Sequence, residues 1–178
     1  VTEDSVRAVM PPRGPDSHKG TFGTVGVIAG SVNYTGAAYL CASAAYRIGA
    51  GLVQVAVPAP LHAALAGQVP EATWVLLPHE DGVIAERAVG EMGKHLDRVK
   101  ILLWGPGFGL EDTTAGFVRR LLEGKTSRPR AAAGFIAGAE VETAPRELPP
   151  MVIDADGLKL LARVPGWHEK LPRGAVLT

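Results

Sequence analysis

The chain has 178 residues, about the size of one domain, with 47% apolar and 20% charged residues, so it can bury a core and is not intrinsically disordered. Its 18 basic residues balance 18 acidic ones, which argues against a nucleic-acid or anionic-membrane binder, and one cysteine, Cys41, excludes an internal disulfide framework and a cysteine-cluster zinc site. No apolar run approaches the roughly 18 residues that span a bilayer, and the opening VTEDSVRAVM lacks a signal-peptide apolar block, so the expected setting is a reducing, cytoplasmic one.

In chain order, residues 3–10 read as a short helix and the Pro/Gly-rich stretch 11–23 as loop. Residues 24–29 (TVGVIA) are apolar, rich in β-branched side chains and stopped by Gly30, the pattern of a buried strand. Residues 35–49 place Ala37, Cys41, Ala44 and Ile48 at helical spacing. That face is mostly alanine, so the helix backbone can lie close to a sheet. Gly49 and Gly51 end it, and LVQVAVP (52–58) is the next strand. TWVLLP (73–78) follows as a strand, 83–95 as a helix, KILLW (100–104) as a strand and 112–123 as a helix. The stretch 124–149 reads as a variable connection with a short strand near Gly134–Ala137. MVIDA (151–155), DGLKLLA (156–162) and AVLT (175–178) complete the series as strand, helix and the start of a strand.

Continuous apolar strands alternating with helices predict an α/β fold: a mainly parallel sheet covered by helices on both faces. The chain opens on Val, and no helix follows to cover Ala175–Leu177. Both features are those expected of a piece of a longer polypeptide. The unpaired edge of an unfinished sheet also invites self-association.

Ligands of open parallel sheets bind at the carboxyl ends of the strands. Three segments fall there. Gly30-Ser31-Val32-Asn33-Tyr34-Thr35-Gly36-Ala37 joins a strand to a helix and lacks the Lys-Ser/Thr pair of a P-loop. It suits a phosphate or other polar ligand, or it is an ordinary strand-to-helix turn. Gly105-Pro106-Gly107-Phe108-Gly109 carries three glycines in five residues, but Leu110 breaks the dinucleotide fingerprint. It brings backbone close to a ligand, or it is a sharp turn with Asp112 or Thr113 as helix cap. Asp154-Ala155-Asp156 ends an apolar strand. Asp154 can order a hydroxyl, a water or a metal, while Asp156 reads as the helix N-cap. His18 and Lys19 are further candidates in a loop before the first strand. His62, His79, His95 and His168 lack metal-type spacing, and Trp74, Trp104 and Trp167 read as packing residues.

Five segments in order, HKGTFG (18–23), VIAGSVNYTGAAYL (27–40), RIGAGLVQVAVP (47–58), GPGFG (105–109) and IDADGLKLLA (153–162), resemble the NAD(P)H-hydrate dehydratase domain of the ribokinase-like superfamily. The resemblance covers nearly the whole chain except 124–149. It implies residues 1–23 as an N-terminal helix and loop, then 24–178 as an incomplete ribokinase-like α/β domain, truncated on its C-terminal side. It implies a hydro-lyase that repairs hydrated NADH or NADPH at the expense of ADP or ATP with Mg²⁺. Hydroxide is a poor leaving group, whereas a phosphorylated hydroxyl is expelled readily by the ring nitrogen lone pair. Asn33, Tyr34, Gly36, Ala37, Gly105, Gly107 and Asp154 are then expected to contact the substrate, with His18, Lys19 and Gly109 as additional candidates; no metal ligands are assigned.

The resemblance also implies a homo-oligomer and an epimerase domain upstream in the same polypeptide. The family often reads Asp-Ala-Asp-Ala-Leu-Asn where this chain has Gly157 and Lys159. Family members continue with a Pro-His-Pro-Gly-Glu segment, a Lys-Gly stretch and a Gly-Thr-Gly-Asp motif that supplies the catalytic base. None of these occurs in the 178 residues, so the chain alone is expected to be inactive. A ribokinase-like vitamin or sugar kinase and a non-catalytic nucleotide-binding module are the alternatives.

Overall fold

The computed structural model describes residues 2–124, 127–129, 140–142 and 147–178. The elements in chain order are α1 (Glu3–Val9), β1 (Thr24–Ile28), α2 (Thr35–Ile48), β2 (Leu52–Pro58), α3 (His62–Leu65), β3 (Thr73–Leu77), β4 (His79–Glu80) and β5 (Val83–Ile84). Then come α4 (Ala88–Gly93), β6 (Ile101–Trp104), α5 (Asp112–Leu122), β7 (Ser127–Pro129), β8 (Glu140–Glu142), β9 (Met151–Ile153), α6 (Asp156–Leu161), α7 (Trp167–Lys170) and β10 (Val176–Leu177). The short strand expected near Gly134–Ala137 lies outside the described residues.

Six strands form one sheet in the order β10-β9-β6-β1-β2-β3, and every pairing is parallel. The predicted sheet is thus the observed one. Its order follows from connection handedness. Crossovers running from β1 through β2 to β3 put α2 and α3 on one face. The chain then jumps from β3 back across the sheet to β6, so right-handed connections place α4, α5 and α6 on the other face.

Alternation along β1 serves both layers. Val27 belongs to the core cluster that holds Ala38 and Ala42 of α2 with Leu61 and Leu65, whereas Ile28 belongs to the one that holds the α4 and α5 side chains Met92, Phe117 and Leu121. The buried face of α2 is a correction: it centres on Ala38 and Ala42, one position round from the expected Ala37, Cys41, Ala44 and Ile48, of which the first two are half-buried and the last two exposed. Gly49 ends that helix in the left-handed conformation, with its N–H and that of Ala50 turning back to the last carbonyls.

The expected helix over 83–95 is a correction. Val83–Ile84 pairs antiparallel with His79–Glu80, and the helix spans only Ala88–Gly93. The two turn residues, Asp81 and Gly82, both have positive φ (47° and 83°), the hairpin geometry that an Asp-Gly pair favours. Neither Asp112 nor Thr113 caps α5. Glu111 holds the N-cap position, and the Thr113 hydroxyl accepts the Glu86 N–H instead (3.1 Å).

Candidate functional site

The carboxyl ends of β1, β6 and β9 adjoin one another because these strands are neighbours in the sheet. Each is followed by one of the three sequence segments singled out above, so all three segments converge on one rim. An open cleft of about 630 Å³ lies there, within the range of small-molecule sites. Tyr34, Gly36, Ala37 and Leu40 line one side, Pro106 and Gly107 a second, and Ala155, Asp156 and Lys159 a third.

Backbone contacts fix these sides against each other. The Gly30 N–H donates to the Pro106 carbonyl (2.8 Å), and the Gly105 N–H to the Ile28 carbonyl (3.3 Å). Phe108 is the pin. Its side chain is fully buried, stacked on Trp104 at 6.1 Å and edge-on to Phe117 at 6.3 Å, so the flanking glycines are held at the surface. Gly107 has φ +70°, and a Cβ there would fall 2.7 Å from the Ala37 Cβ and 2.9 Å from the Tyr34 Cβ. Only glycine fits this approach. Gly36 differs: a Cβ built on it meets nothing within 4 Å.

The β6 and β9 segments touch just as closely. Gly105 has φ +117°, and a Cβ on it would overlap the Asp154 carbonyl oxygen and come 2.7 Å from the Gly157 Cα. The departure at Gly157 therefore has a structural reading, since a Cβ there would lie 2.8 Å from the Gly105 Cα.

Asp154 does not line the cleft wall directly. Its Oδ1 accepts the Ala155 N–H at 2.6 Å, and Ala155 has φ 53° and ψ −123°, a backbone conformation that L-residues rarely occupy. Asp154 thus stabilises a strained residue that does face the cleft. Its negative charge also reaches Cys41. Burial first, and Asp154 second, push the Cys41 thiol up to about 11.

Asp156 is not the N-cap of α6; Ala155 holds that position. The Asp156 carboxylate instead ties two segments together. Oδ2 accepts the Gly109 N–H (3.1 Å), and Oδ1 accepts from Lys159 Nζ (2.9 Å). Asn33 sits exposed in the turn before Tyr34. His18 and Lys19 are not brought to the cleft. They precede β1, at the amino end of the sheet, where the His18 Nδ1 accepts the Gly20 N–H and the Lys19 carbonyl packs against Gly51.

The sequence reading missed Leu40, Pro106, Ala155, Asp156 and Lys159 as cleft residues. The signal for Asp156 is its position two residues after Asp154 on the same strand-to-helix turn. Its partner Gly109 is 47 residues away, so pairing them needs the sheet order. Among the described residues, no group of three or more His, Cys, Asp or Glu side chains could hold a metal ion. No helix among them is long and apolar enough to cross a membrane.

A family model described as NAD(P)H-hydrate dehydratase matches residues 25–178. The chain belongs to this family. It is 36% identical over 164 residues to the bifunctional NAD(P)H-hydrate repair enzyme Nnr of Salinibacter ruber, covering 91% of this chain and 26% of that protein. It is 34% identical over 173 residues to the human ATP-dependent (S)-NAD(P)H-hydrate dehydratase, covering 97% of this chain and 43% of that protein. The chain therefore spans less than half the length of these curated relatives.

Solved structures share the fold. A ribokinase-like superfamily protein of Enterococcus faecalis matches with a TM-score of 0.71 and 22% identity, over 99% of this chain and 52% of that one. The ADP/ATP-dependent NAD(P)H-hydrate dehydratase of Bacillus subtilis, co-crystallized with ATP/Mg²⁺, matches with a TM-score of 0.55 and 24% identity, over 86% of this chain and 51% of that one. The ribokinase-like architecture that the five motifs implied is thus the one these neighbours share with this chain of the dehydratase family.

Proposed function

We propose that this chain forms the substrate-side wall of a nucleotide-dependent NAD(P)H-hydrate dehydratase. The substrate is NADH or NADPH that has gained water across a ring double bond, and ADP or ATP with Mg²⁺ is the phosphoryl source. One observation carries the reading: Gly107 packs on Tyr34 and Ala37, so two glycine-bearing turns make a single side-chain-poor wall beside an open cleft. The names of the Salinibacter and human relatives support the substrate class. The word bifunctional in the former supports a second activity, an epimerase for the same hydrate, in the parent polypeptide.

In this reading the backbone at Gly36, Ala37 and Gly107 lets the hydrated ring lie close, with Asn33 and Tyr34 flanking it. Gly105 and Gly109 hold the loop, and Asp154 sets the Ala155 turn beside the ring. Phosphorylation converts the ring hydroxyl into a good leaving group. The ring nitrogen lone pair then expels phosphate, the adjacent carbon gives up a proton, and the double bond of NAD(P)H returns.

The described residues do not fit the metal or the nucleotide. They offer no cluster of metal ligands, and the Gly-Thr-Gly-Asp motif is absent from the 178 residues. No transfer step is therefore assigned to them. Their part is to bind the hydrated ring and fix its orientation, a contribution that lowers the barrier by positioning.

Calorimetric titration of the 178-residue chain tests this. Hydrated NADH is expected to bind about tenfold or more tightly than NADH itself, because a wall that recognises the ring hydroxyl discriminates against its absence. Equal affinities contradict the reading. The chain is also expected to bind without turnover, and nucleotide-dependent recovery of NADH absorbance by these residues alone would overturn that expectation.

A further inference from the structure

Lys159 brings the only positive side chain among the cleft-lining residues, and Asp156 the only negative one. Asp156 is fixed. Its side chain is 17% exposed, and its Oδ2 is occupied by the Gly109 amide. Lys159 is held only at its tip, by Oδ1 at 2.9 Å, and its side chain is 63% exposed. An ammonium has three donors, and this bond uses one. An exposed pair at i,i+3 contributes little to stability, so its release for another anion costs little.

We infer that Lys159 contacts a phosphate of the dinucleotide, with Asp156 as its counter-ion in the ligand-free state. This rests on the reading under Proposed function and extends it from the nicotinamide ring to the charged part of the substrate. A dinucleotide carries its phosphates on the ribose arm, away from the ring. The ring wall is formed by Gly36, Ala37 and Gly107, and the one cation among the lining residues comes from the segment that follows β9 rather than from that wall. The Asp156 carboxylate keeps the ammonium at the rim, where it exchanges one carboxylate oxygen for a phosphate oxygen. The geometry gives Asp156 a positioning role, since its other oxygen ties it to the glycine loop.

The phosphate can be the pyrophosphate common to both cofactors or the 2′-phosphate found only on the NADP form. Binding of hydrated NADH and hydrated NADPH to the 178-residue chain, with Lys159→Gln, Lys159→Arg and Asp156→Asn, separates these sources. Lys159→Gln is expected to weaken binding about fivefold and to flatten its dependence on salt, because a charge-assisted contact is lost. Lys159→Arg restores most of the affinity. Asp156→Asn keeps an acceptor for the Gly109 amide but removes the competing charge, so affinity rises or holds. Loss with both hydrates assigns the pyrophosphate, and loss with hydrated NADPH alone assigns the 2′-phosphate.

Unchanged affinity and salt slope in Lys159→Gln overturn the inference while leaving the ring site standing. An effect of Lys159→Gln on ATP binding alone overturns it too, because the phosphate then belongs to the donor. Failure of the wild-type chain to bind either hydrate sinks the functional reading and this inference together.

Discussion

Gly36 and Gly107 face the same cleft but live under opposite constraints. Gly107 is pressed against Ala37 and Tyr34 and has a positive φ, while a side chain at Gly36 would project into open space. The first glycine is required by the fold. The second is dispensable to the fold and leaves room for something else. A wall therefore contains both kinds of position, and substitution distinguishes them where sequence alone does not.

The largest expected effect falls on the pin that makes this contrast. Phe108→Ala removes a fully buried ring between Trp104 and Phe117 and is expected to cost about 3–5 kcal/mol in chemical denaturation. A loss below about 1 kcal/mol would mean that the glycine loop is held by something other than its aromatic anchor.

Gly107→Val comes next. Steric overlap with Ala37 and Tyr34 adds to an unfavourable φ, so the expected cost is about 2 kcal/mol, together with loss of hydrate binding. Gly36→Val is the sharpening control. It lies in the first turn of α2 with open space beyond, so the melting temperature holds while hydrate affinity falls about tenfold or more. Equal melting losses in the two variants would break the contrast.

The smallest effect concerns Cys41, which lies in an apolar groove beside Val25, Leu103 and Val152 on the α2 face of the sheet. With its thiol raised to about 11 from 9.0, the folded chain holds the proton that the unfolded chain releases. The associated stability is complete below about pH 9 and is lost as pH rises through about 11. Alkylation by iodoacetamide is accordingly slow at pH 8 and accelerates only toward pH 11. Rapid modification at pH 8 in the folded chain would contradict the burial that causes the shift.

Much of this fold is written locally. Apolar runs at 24–28, 52–58 and 101–104 become neighbouring strands because β-branched continuity and intervening helical spacing both point the same way. The glycine density of 105–109 also marks a real approach of backbone to backbone. The hairpin at 79–84 was hidden because Val83 and Ile84 continue into apolar residues that suit a helix. The Asp81-Gly82 pair outweighs that pattern by favouring two successive positive φ values.

Asp156 was obscured for a different reason. A carboxylate at a helix start has a good local use as a cap, and only the adjacency of β6 and β9 offers it the Gly109 amide instead. His18 and Lys19 carry reactive side chains, but residues that precede a parallel strand lie at its amino end, away from the rim where the cleft forms.

The most direct test of the shared wall is a titration of the isotopically labelled 178-residue chain with hydrated NADH, followed by backbone amide resonances. The amides of Gly36, Ala37 and Gly107 are expected to shift together along one saturation curve. Shifts confined to the amino end of the sheet near Lys19, or movement of Gly36 without Gly107, would contradict a common site for the damaged nicotinamide ring.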